Sequence, residues 1–210
     1  MRGFRRYAGL ILLLSGLALF VAACSGSGGT IDAGSSGSSS SSGGGSTTYT
    51  NDKYGFTLTH DNQFTQGEPV AGTGAGGSSV LDVVFADKNG AKVSNRYVDA
   101  VQVSVYQLSR EIKPADVPKL KSELNTIVKQ MMASLPTATI VDPLTPVVIN
   151  DVPGFGLKYT YTEAGTDITA VTFFLIKGKT EFQITAQATS ANWDALKAKL
   201  EAAAKSFTAK

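Results

Sequence analysis

The sequence predicts an α+β domain over residues 48–210, with a central antiparallel sheet of six or seven strands flanked by helices. Two observations predict it. Segments in which apolar and polar residues alternate recur along the chain with short turns between them, which favours antiparallel pairing. The two segments with helical spacing lie in separate places instead of following every strand, which is typical of an α+β fold and not of a parallel sheet.

Residues 1–23 are predicted to be a secretory signal peptide. Arg2, Arg5 and Arg6 precede an almost entirely apolar run from Ala8 to Ala23, and no acidic residue interrupts either part. A basic start, an apolar centre and small residues at the end are typical of such signals. As a membrane span the run is short, because about 20 apolar residues are needed to cross the hydrocarbon core.

The residues before the single cysteine, Val21-Ala22-Ala23-Cys24, resemble the bacterial lipobox. The resemblance implies cleavage before Cys24 and a diacylglycerol on its thiol. Two or three acyl chains at Cys24 would anchor the chain firmly without a transmembrane helix. We therefore expect a lipid-anchored protein on the extracytoplasmic face of the cell membrane, or on the outer membrane of a cell that has one.

The residues after the cysteine are predicted to be a flexible linker that ends at residue 47. Of the 23 residues from 25 to 47, 18 are Ser or Gly. This composition buries too little apolar surface to offset the entropy of ordering. A coil of this length spans about 26 Å, which would lift a domain clear of the lipid headgroups.

The charge of the mature chain gives no sign of a nucleic-acid partner. Removing residues 1–23 removes three arginines and no acid, which leaves 16 basic and 17 acidic residues. The remaining lysines and arginines are scattered, whereas a nucleic-acid site needs them clustered. With Cys24 acylated, no thiol is left to form a disulfide, so the domain depends on its core.

Strand patterns account for most of the domain. Turns are predicted at Asp87–Gly90, where Asn-Gly favours the positive φ of a hairpin, at Pro153-Gly154, at Gly165 and at residues 177–179. Consecutive apolar residues at 173–176 predict a strand that is covered on both faces. The predicted strands are 54–60, 80–85, 101–108, 147–150, 156–162, 169–177 and 180–188.

Two helices are predicted. Apolar residues between Pro114 and Leu135 recur with helical spacing, Pro118 falls in the first turn and Pro136 ends the pattern. The second helix follows Ser190, a candidate N-cap. Its predicted buried side contains Trp193, Leu196, Leu200, Ala203 and Phe207.

This order of elements resembles the PsbP-like α/β/α sandwich, which includes PsbP, Mog and LpqN-type proteins. The resemblance depends on Tyr54-Gly55-Phe56 in the first strand, on a tryptophan near the start of the last helix, and on Lys205-Ser206-Phe207. His60 to Phe64 lack the proline and tryptophan that often follow the first strand in that group. The resemblance implies the fold and a binding or accessory role, because its members share a scaffold and not an activity.

None of the possible reactive residues forms a catalytic, cofactor or metal motif. Gly72–Gly77 matches GxGxxG, but a strand pattern follows it where a dinucleotide site needs a helix. His60 is the only histidine, and Asp61 beside it could orient it; a polar strand end is the simpler interpretation. Asp87–Gly90 lacks the distal acid of a calcium loop. Other groups considered were the acids Asp142, Asp151, Glu163, Asp167 and Glu181 and the aromatics Tyr97, Tyr106, Tyr159, Tyr161 and Trp193.

The favoured function is a non-catalytic domain that contacts an envelope protein or a cell-wall component, because the chain combines an anchor, a spacer and a compact domain. The alternative is a carrier of a lipid or another small apolar ligand, which would need a cavity between sheet and helix. A core filled by Phe173, Leu175, Leu124 and Met131 would leave no room for that cavity. A hydrolase is the third hypothesis.

Overall fold

The computed structural model describes residues 38–42, 45–72, 78–135 and 137–210, and for residues 38–42 the backbone alone. The predicted signal peptide and Cys24 lie outside these ranges. The helices are a 3-10 helix at Pro114–Leu120, α1 at Lys121–Ser134 and α2 at Trp193–Lys205. The strands are β1 Ser38–Ser42, β2 Ser46–Asn51, β3 Phe56–Asp61, β4 Phe64–Gln66, β5 Leu81–Asp87, β6 Lys92–Val93, β7 Arg96–Tyr97, β8 Ala100–Ile112, β9 Thr139–Ile149, β10 Val152–Glu163, β11 Thr166–Thr189 and β12 Thr208–Ala209.

A six-stranded antiparallel sheet forms the centre of the domain, in the order β4-β5-β8-β11-β10-β9. Along β5, buried and half-buried residues alternate strictly, as the sequence pattern requires. The predicted α+β class and the central antiparallel sheet are confirmed.

Strand β11 reverses direction at Gly178. The hydroxyls of Thr172 and Thr185 hydrogen-bond at 3.0 Å, and the Ser190 N–H donates to the Asp167 carbonyl at 2.8 Å. In one straight strand, residues 13 apart would be separated by about 43 Å. Gly178 has φ of +63°, which suits the first central position of a type II′ turn. The turn predicted at residues 177–179 is therefore confirmed: residues 166–175, the first arm of β11, pair with β10, and residues 180–187, its second arm, pair with β8.

The first predicted strand does not join the central sheet. It begins at Phe56 and lies in a smaller sheet of order β1-β2-β3-β12. The hairpin with β2 and the C-terminal strand β12 occupy both of its edges. Strands β1 and β2 begin within residues 24–47, the segment predicted to be linker.

Two hydrophobic cores lie on opposite faces of the central sheet. The first core joins the sheet to α2 and the small sheet, and the second joins it to the 3-10 helix and α1. Phe173 and Leu175 lie in the first core, whereas Phe174 and Ile176 lie in the second, so the prediction that this strand is covered on both faces is confirmed. Leu124 belongs to the second core, and Met131 packs against it half-buried. The four residues expected to fill one core are therefore divided between two.

Both predicted helices form, with local corrections. The first begins as a 3-10 helix because Pro118, inside it, has no N–H to donate and clashes with a regular α-turn. Pro136, predicted to end this helix, lies outside the described residues. The N-cap of α2 is Asn192, not Ser190, and no side chain caps it; the Ser190 hydroxyl bonds to that of Thr169 at 2.9 Å.

The turn predicted at Pro153-Gly154 is wrong, because both residues lie inside β10. The chain turns instead at Asn150 and Asp151, with φ of 45° and 67°. The Asn150 amide donates to the carbonyls of Lys205 and Phe207, at 3.0 and 2.8 Å, which holds this turn against the C-terminal segment. Gly154 is needed for close approach between strands, since a Cβ there would lie 2.0 Å from the Phe174 carbonyl oxygen.

A turn occurs at Asp87–Gly90 as predicted, but neither Asn89 nor Gly90 has a positive φ. The Asp87 carboxylate accepts from the Asn89 N–H at 2.8 Å, and this bond shapes the turn in place of the expected hairpin geometry. The turn leads into the ribbon β6–β7, whose own turn has positive φ at Ser94 and Asn95. Along the chain, the ribbon lies between β5 and β8.

Candidate functional site

The face of the central sheet that carries the second core is apolar on one side and polar on the other. The 3-10 helix contacts β10 and β11, and α1 contacts β9. Beyond them, β5, β8 and the second arm of β11 present polar side chains on the same face, because the register places Asp82 beside Ser104 and Ser104 beside Gln183. We call this surface the polar half-face; its residues are Asp82, Gln102, Ser104, Glu181, Gln183, Thr185 and Gln187.

Asp82 organises the β5 side of the polar half-face. The hydroxyls of Ser79 and Ser104 each donate to its carboxylate at 2.5 Å, and the Gln102 amide donates at 3.2 Å. Ser79 and Ser104 are themselves buried. The carboxylate is therefore fixed by three internal donors.

Three glutamines of the polar half-face are each held by one end of the amide. The Gln102 Nε2 group donates to Ser104 at 2.8 Å, and that of Gln183 donates to Glu181 at 2.9 Å. The Oε1 atom of Gln187 accepts from the Tyr161 hydroxyl at 3.4 Å. Within the described part of the chain, the opposite ends, Gln102 Oε1, Gln183 Oε1 and Gln187 Nε2, have no hydrogen-bond partner. Each amide is thus oriented, with one group left for solvent or a ligand.

Hydroxyl groups line the boundary between the apolar and polar sides. The Tyr159 hydroxyl lies 3.4 Å from that of Thr172, which bonds in turn to Thr185. Burial raises the pKa of Tyr159 and of Tyr161. These phenols therefore stay protonated and act as hydrogen-bonding groups, not as bases.

Glu181 is the buried carboxyl of the polar half-face, with 2% of its surface exposed. Burial raises its pKa, and the hydrogen bond from Gln183 opposes that shift. Opposite it on β8, Tyr106 has its pKa raised by burial and by the charges of Asp82 and Glu181. Burial therefore shifts both Glu181 and Tyr106 toward their protonated forms.

His60 lies apart from the polar half-face, on β3 in the small sheet. Its ring packs on Phe85 with centroids 4.5 Å apart, and Nδ1 lies 3.1 Å from the Asp61 backbone oxygen. Nε2 is buried, and no described residue pairs with it. The Asp61 carboxylate instead accepts from the Gln63 N–H at 2.9 Å and pairs with Lys199. The histidine is not assembled with a nucleophile.

The glycine motif at residues 72–77 lies only partly within the described residues. The Gly72 N–H donates to the Val80 carbonyl at 3.2 Å, and residues 73–77 lie outside the described ranges. Among the described residues that follow the motif, 78–80 belong to no helix or strand and β5 begins at Leu81, which agrees with the strand pattern expected there.

The carboxylates considered from sequence are spread over the molecule. Asp142 and Asp151 are exposed, Glu163 forms an ion pair with Arg96, and Asp167 accepts from Thr162 at 2.8 Å. Of this group, Glu181 alone belongs to the polar half-face. In the described ranges, no three His, Cys, Asp or Glu side chains are placed to hold a metal ion.

The aromatic residues considered from sequence are mostly structural. Trp193 is buried at the start of α2, with the Lys158 ammonium 5.6 Å from its ring centroid. Tyr97, on the ribbon, lies under the Lys92 ammonium at 4.4 Å. The glutamines and Asp82 were not singled out by sequence. In the sequence they are recognisable only as polar positions of the predicted strands. Any solvent-exposed sheet face has the same pattern.

No described helix is both long and apolar enough to cross a membrane. This finding covers α1, α2 and the 3-10 helix, and does not extend to residues 1–37.

Comparison with known proteins establishes the fold. No model of a protein family matches the chain, and no curated protein sequence matches it. Among solved structures, it is similar to the cyanobacterial PsbP protein CyanoP of Synechocystis sp. PCC 6803, with a TM-score of 0.54 and 16% identity over 81% of this chain and 98% of that one. It is also similar to LpqN of Mycobacterium tuberculosis, involved in cell envelope biogenesis, with a TM-score of 0.52 and 13% identity over 84% and 86%. The domain has a PsbP-like fold, as its sequence resemblance implied.

Proposed function

We propose that this chain is a lipid-anchored extracytoplasmic protein whose PsbP-like domain binds a cell-envelope component without catalysing a reaction. The lipobox at residues 21–24 and the Ser/Gly-rich segment after it support the anchor. The fold supports an accessory role, since two solved structures that share it are a PsbP protein and a protein involved in envelope biogenesis.

The observation that carries the binding role is the polar half-face. Its amides and hydroxyls are oriented by internal hydrogen bonds, and groups of this kind can hydrogen-bond a ligand without reacting with it. Asp82 is engaged by three donors, and burial of Glu181 favours its neutral form. His60, the best candidate for a general base, lies on the small sheet and contacts Phe85.

The anchor is tested by labelling cells with radioactive palmitate. Wild-type protein should carry the label and migrate as the processed form, whereas Cys24→Ala should remain unlabelled and retain residues 1–23. Ser25→Ala is the matched control and should be labelled, because it changes the neighbouring residue and leaves the thiol. Label on Cys24→Ala, or an unlabelled wild type, would overturn the proposed anchor.

The binding role is tested by crosslinking in intact cells and capture of the tagged protein under denaturing conditions. Envelope material should be recovered above the level given by an unrelated lipid-anchored domain of similar size. Recovery equal to that control would contradict a binding role.

A further inference from the structure

We propose that the polar half-face binds a neutral glycan chain of the cell envelope. This inference deepens the proposed binding function by naming the chemical class of its ligand. The surface lies where β5, β8 and the second arm of β11 extend beyond the helices.

The hydrogen-bonding groups that remain free match a chain of hydroxyl and acetamido groups. Gln102 Oε1 and Gln183 Oε1 accept hydrogen bonds, and Gln187 Nε2 donates. Sugar hydroxyls both donate and accept, and an acetamido carbonyl accepts. Gln102 lies on β8, and Gln183 and Gln187 lie on the neighbouring second arm of β11, so one extended oligosaccharide could reach all three.

The composition of the surface argues against two other classes of ligand, anionic groups and lipid tails. None of its seven residues is Lys or Arg, which phosphate and sulfate groups require for strong recognition. Its side chains are also too polar for a lipid tail. Val84 and Ala86, half-buried on the same face of β5, supply a small apolar surface against which a sugar ring can pack.

The side chains of this surface are more ordered than those of an ordinary solvated sheet face. Gln102, Gln183, Thr185 and Gln187 are half-buried instead of fully exposed, and each makes an internal hydrogen bond. Side chains held in this way lose less entropy when a ligand binds. This pre-organisation is typical of a binding surface.

The test is calorimetric titration of the full lipidated protein in detergent with chitotetraose, a soluble neutral N-acetylglucosamine oligomer. We expect saturable binding by the wild type. The triple variant Gln102→Ala, Gln183→Ala, Gln187→Ala should bind about 30- to 125-fold more weakly, since each lost hydrogen bond contributes about a threefold to fivefold loss. The single variant Gln187→Ala, which keeps the other two amides, should show about a threefold to fivefold loss. The control Gln107→Ala removes an exposed glutamine from β8, the strand of Gln102, but outside the polar half-face. This variant should bind as the wild type does.

Thermal melting establishes that each variant is folded before it is titrated. The absence of chitotetraose binding by the wild type, equal binding by a folded triple variant, or tighter binding of heparin than of chitotetraose would each overturn this inference. If envelope material is still captured in cells when any of these results is obtained, the proposed binding function stands and the glycan assignment alone fails.

Discussion

The two faces of the central sheet are built from the same strands but are covered differently. On the face of the first core, Val83, Val103 and Ile184 continue an apolar surface across β5, β8 and β11, and α2 with the small sheet covers it. On the opposite face the same three strands present mostly polar residues where they extend beyond the helices, whereas Leu108 and Ile112 of β8 join β10 and the first arm of β11 in the second core. Where a sheet extends beyond its helices, its side chains can serve function without opening the core.

Phe182 and Gln183 give the sharpest comparison, because they are neighbours on β11 that point to opposite faces. Phe182 packs against Phe56 and Phe207, with centroids 5.7 and 5.0 Å away. Phe182→Ala should lower the free energy of unfolding by about 3–5 kcal/mol, because it removes a fully buried ring. Gln183→Ala should lower it by about 1 kcal/mol or less. Urea denaturation of both variants measures the difference, and equal losses would contradict this account of the two faces.

Asp99 links chain segments that pack on the two faces of the sheet, and we call this link the seam. Its fully buried carboxylate accepts from the Thr189 N–H at 3.0 Å, the Asn192 amide at 2.8 Å and the Ala91 N–H at 3.2 Å. It therefore ties the approach to the ribbon, the end of β11 and the start of α2 together. Asp99→Ala should cost about 2–3 kcal/mol, because it leaves buried donors unpaired.

The matched control for Asp99 is Asp194→Ala, which removes an exposed aspartate from the first turn of α2. It should cost less than about 1 kcal/mol, the usual effect of a charge at a helix start. Chemical denaturation compares the two, and a loss for Asp99→Ala no greater than that for Asp194→Ala would show that the seam is not held by this carboxylate.

The sequence predicted the sheet well where the pattern of side chains alone determines the structure. Alternation located β8, the strand patterns at 80–85 and 156–162 located β5 and β10, and consecutive apolar residues at 173–176 indicated a strand between two cores. It misplaced β3, because alternation shows that one face is buried and not which sheet receives the strand. It misplaced the turn at Pro153-Gly154 because the Cβ-free position serves a close approach to Phe174, a contact between strands distant in sequence.

The candidate site was less predictable than the fold. A glutamine in a strand pattern indicates an outward position, but its orientation by Glu181, Ser104 or Tyr161 depends on strand register. The residues that sequence reasoning favoured, His60 above all, were chosen for reactivity. Tertiary packing buried that histidine beside Phe85.

Glu181 sharpens the comparison through pH. Burial raises its pKa above the ordinary value of 4.5, so the folded state holds the proton more tightly than the unfolded state does. Below pH 4.5 both states are protonated; as pH rises from there to the folded pKa, the unfolded state loses its proton first and stability falls, and above the folded pKa the loss is complete. Relative to wild type, Glu181→Gln should therefore become progressively more stable across this window and then keep a constant advantage.

Urea denaturation at intervals from pH 4 to 9 measures the difference. Glu111→Gln, which removes an exposed carboxyl from β8, controls for net charge. A stability difference between variant and wild type that does not change with pH, or that favours wild type as pH rises, would contradict a raised pKa for Glu181. It would mean that the surroundings of Glu181 stabilise its ionised form enough to offset burial.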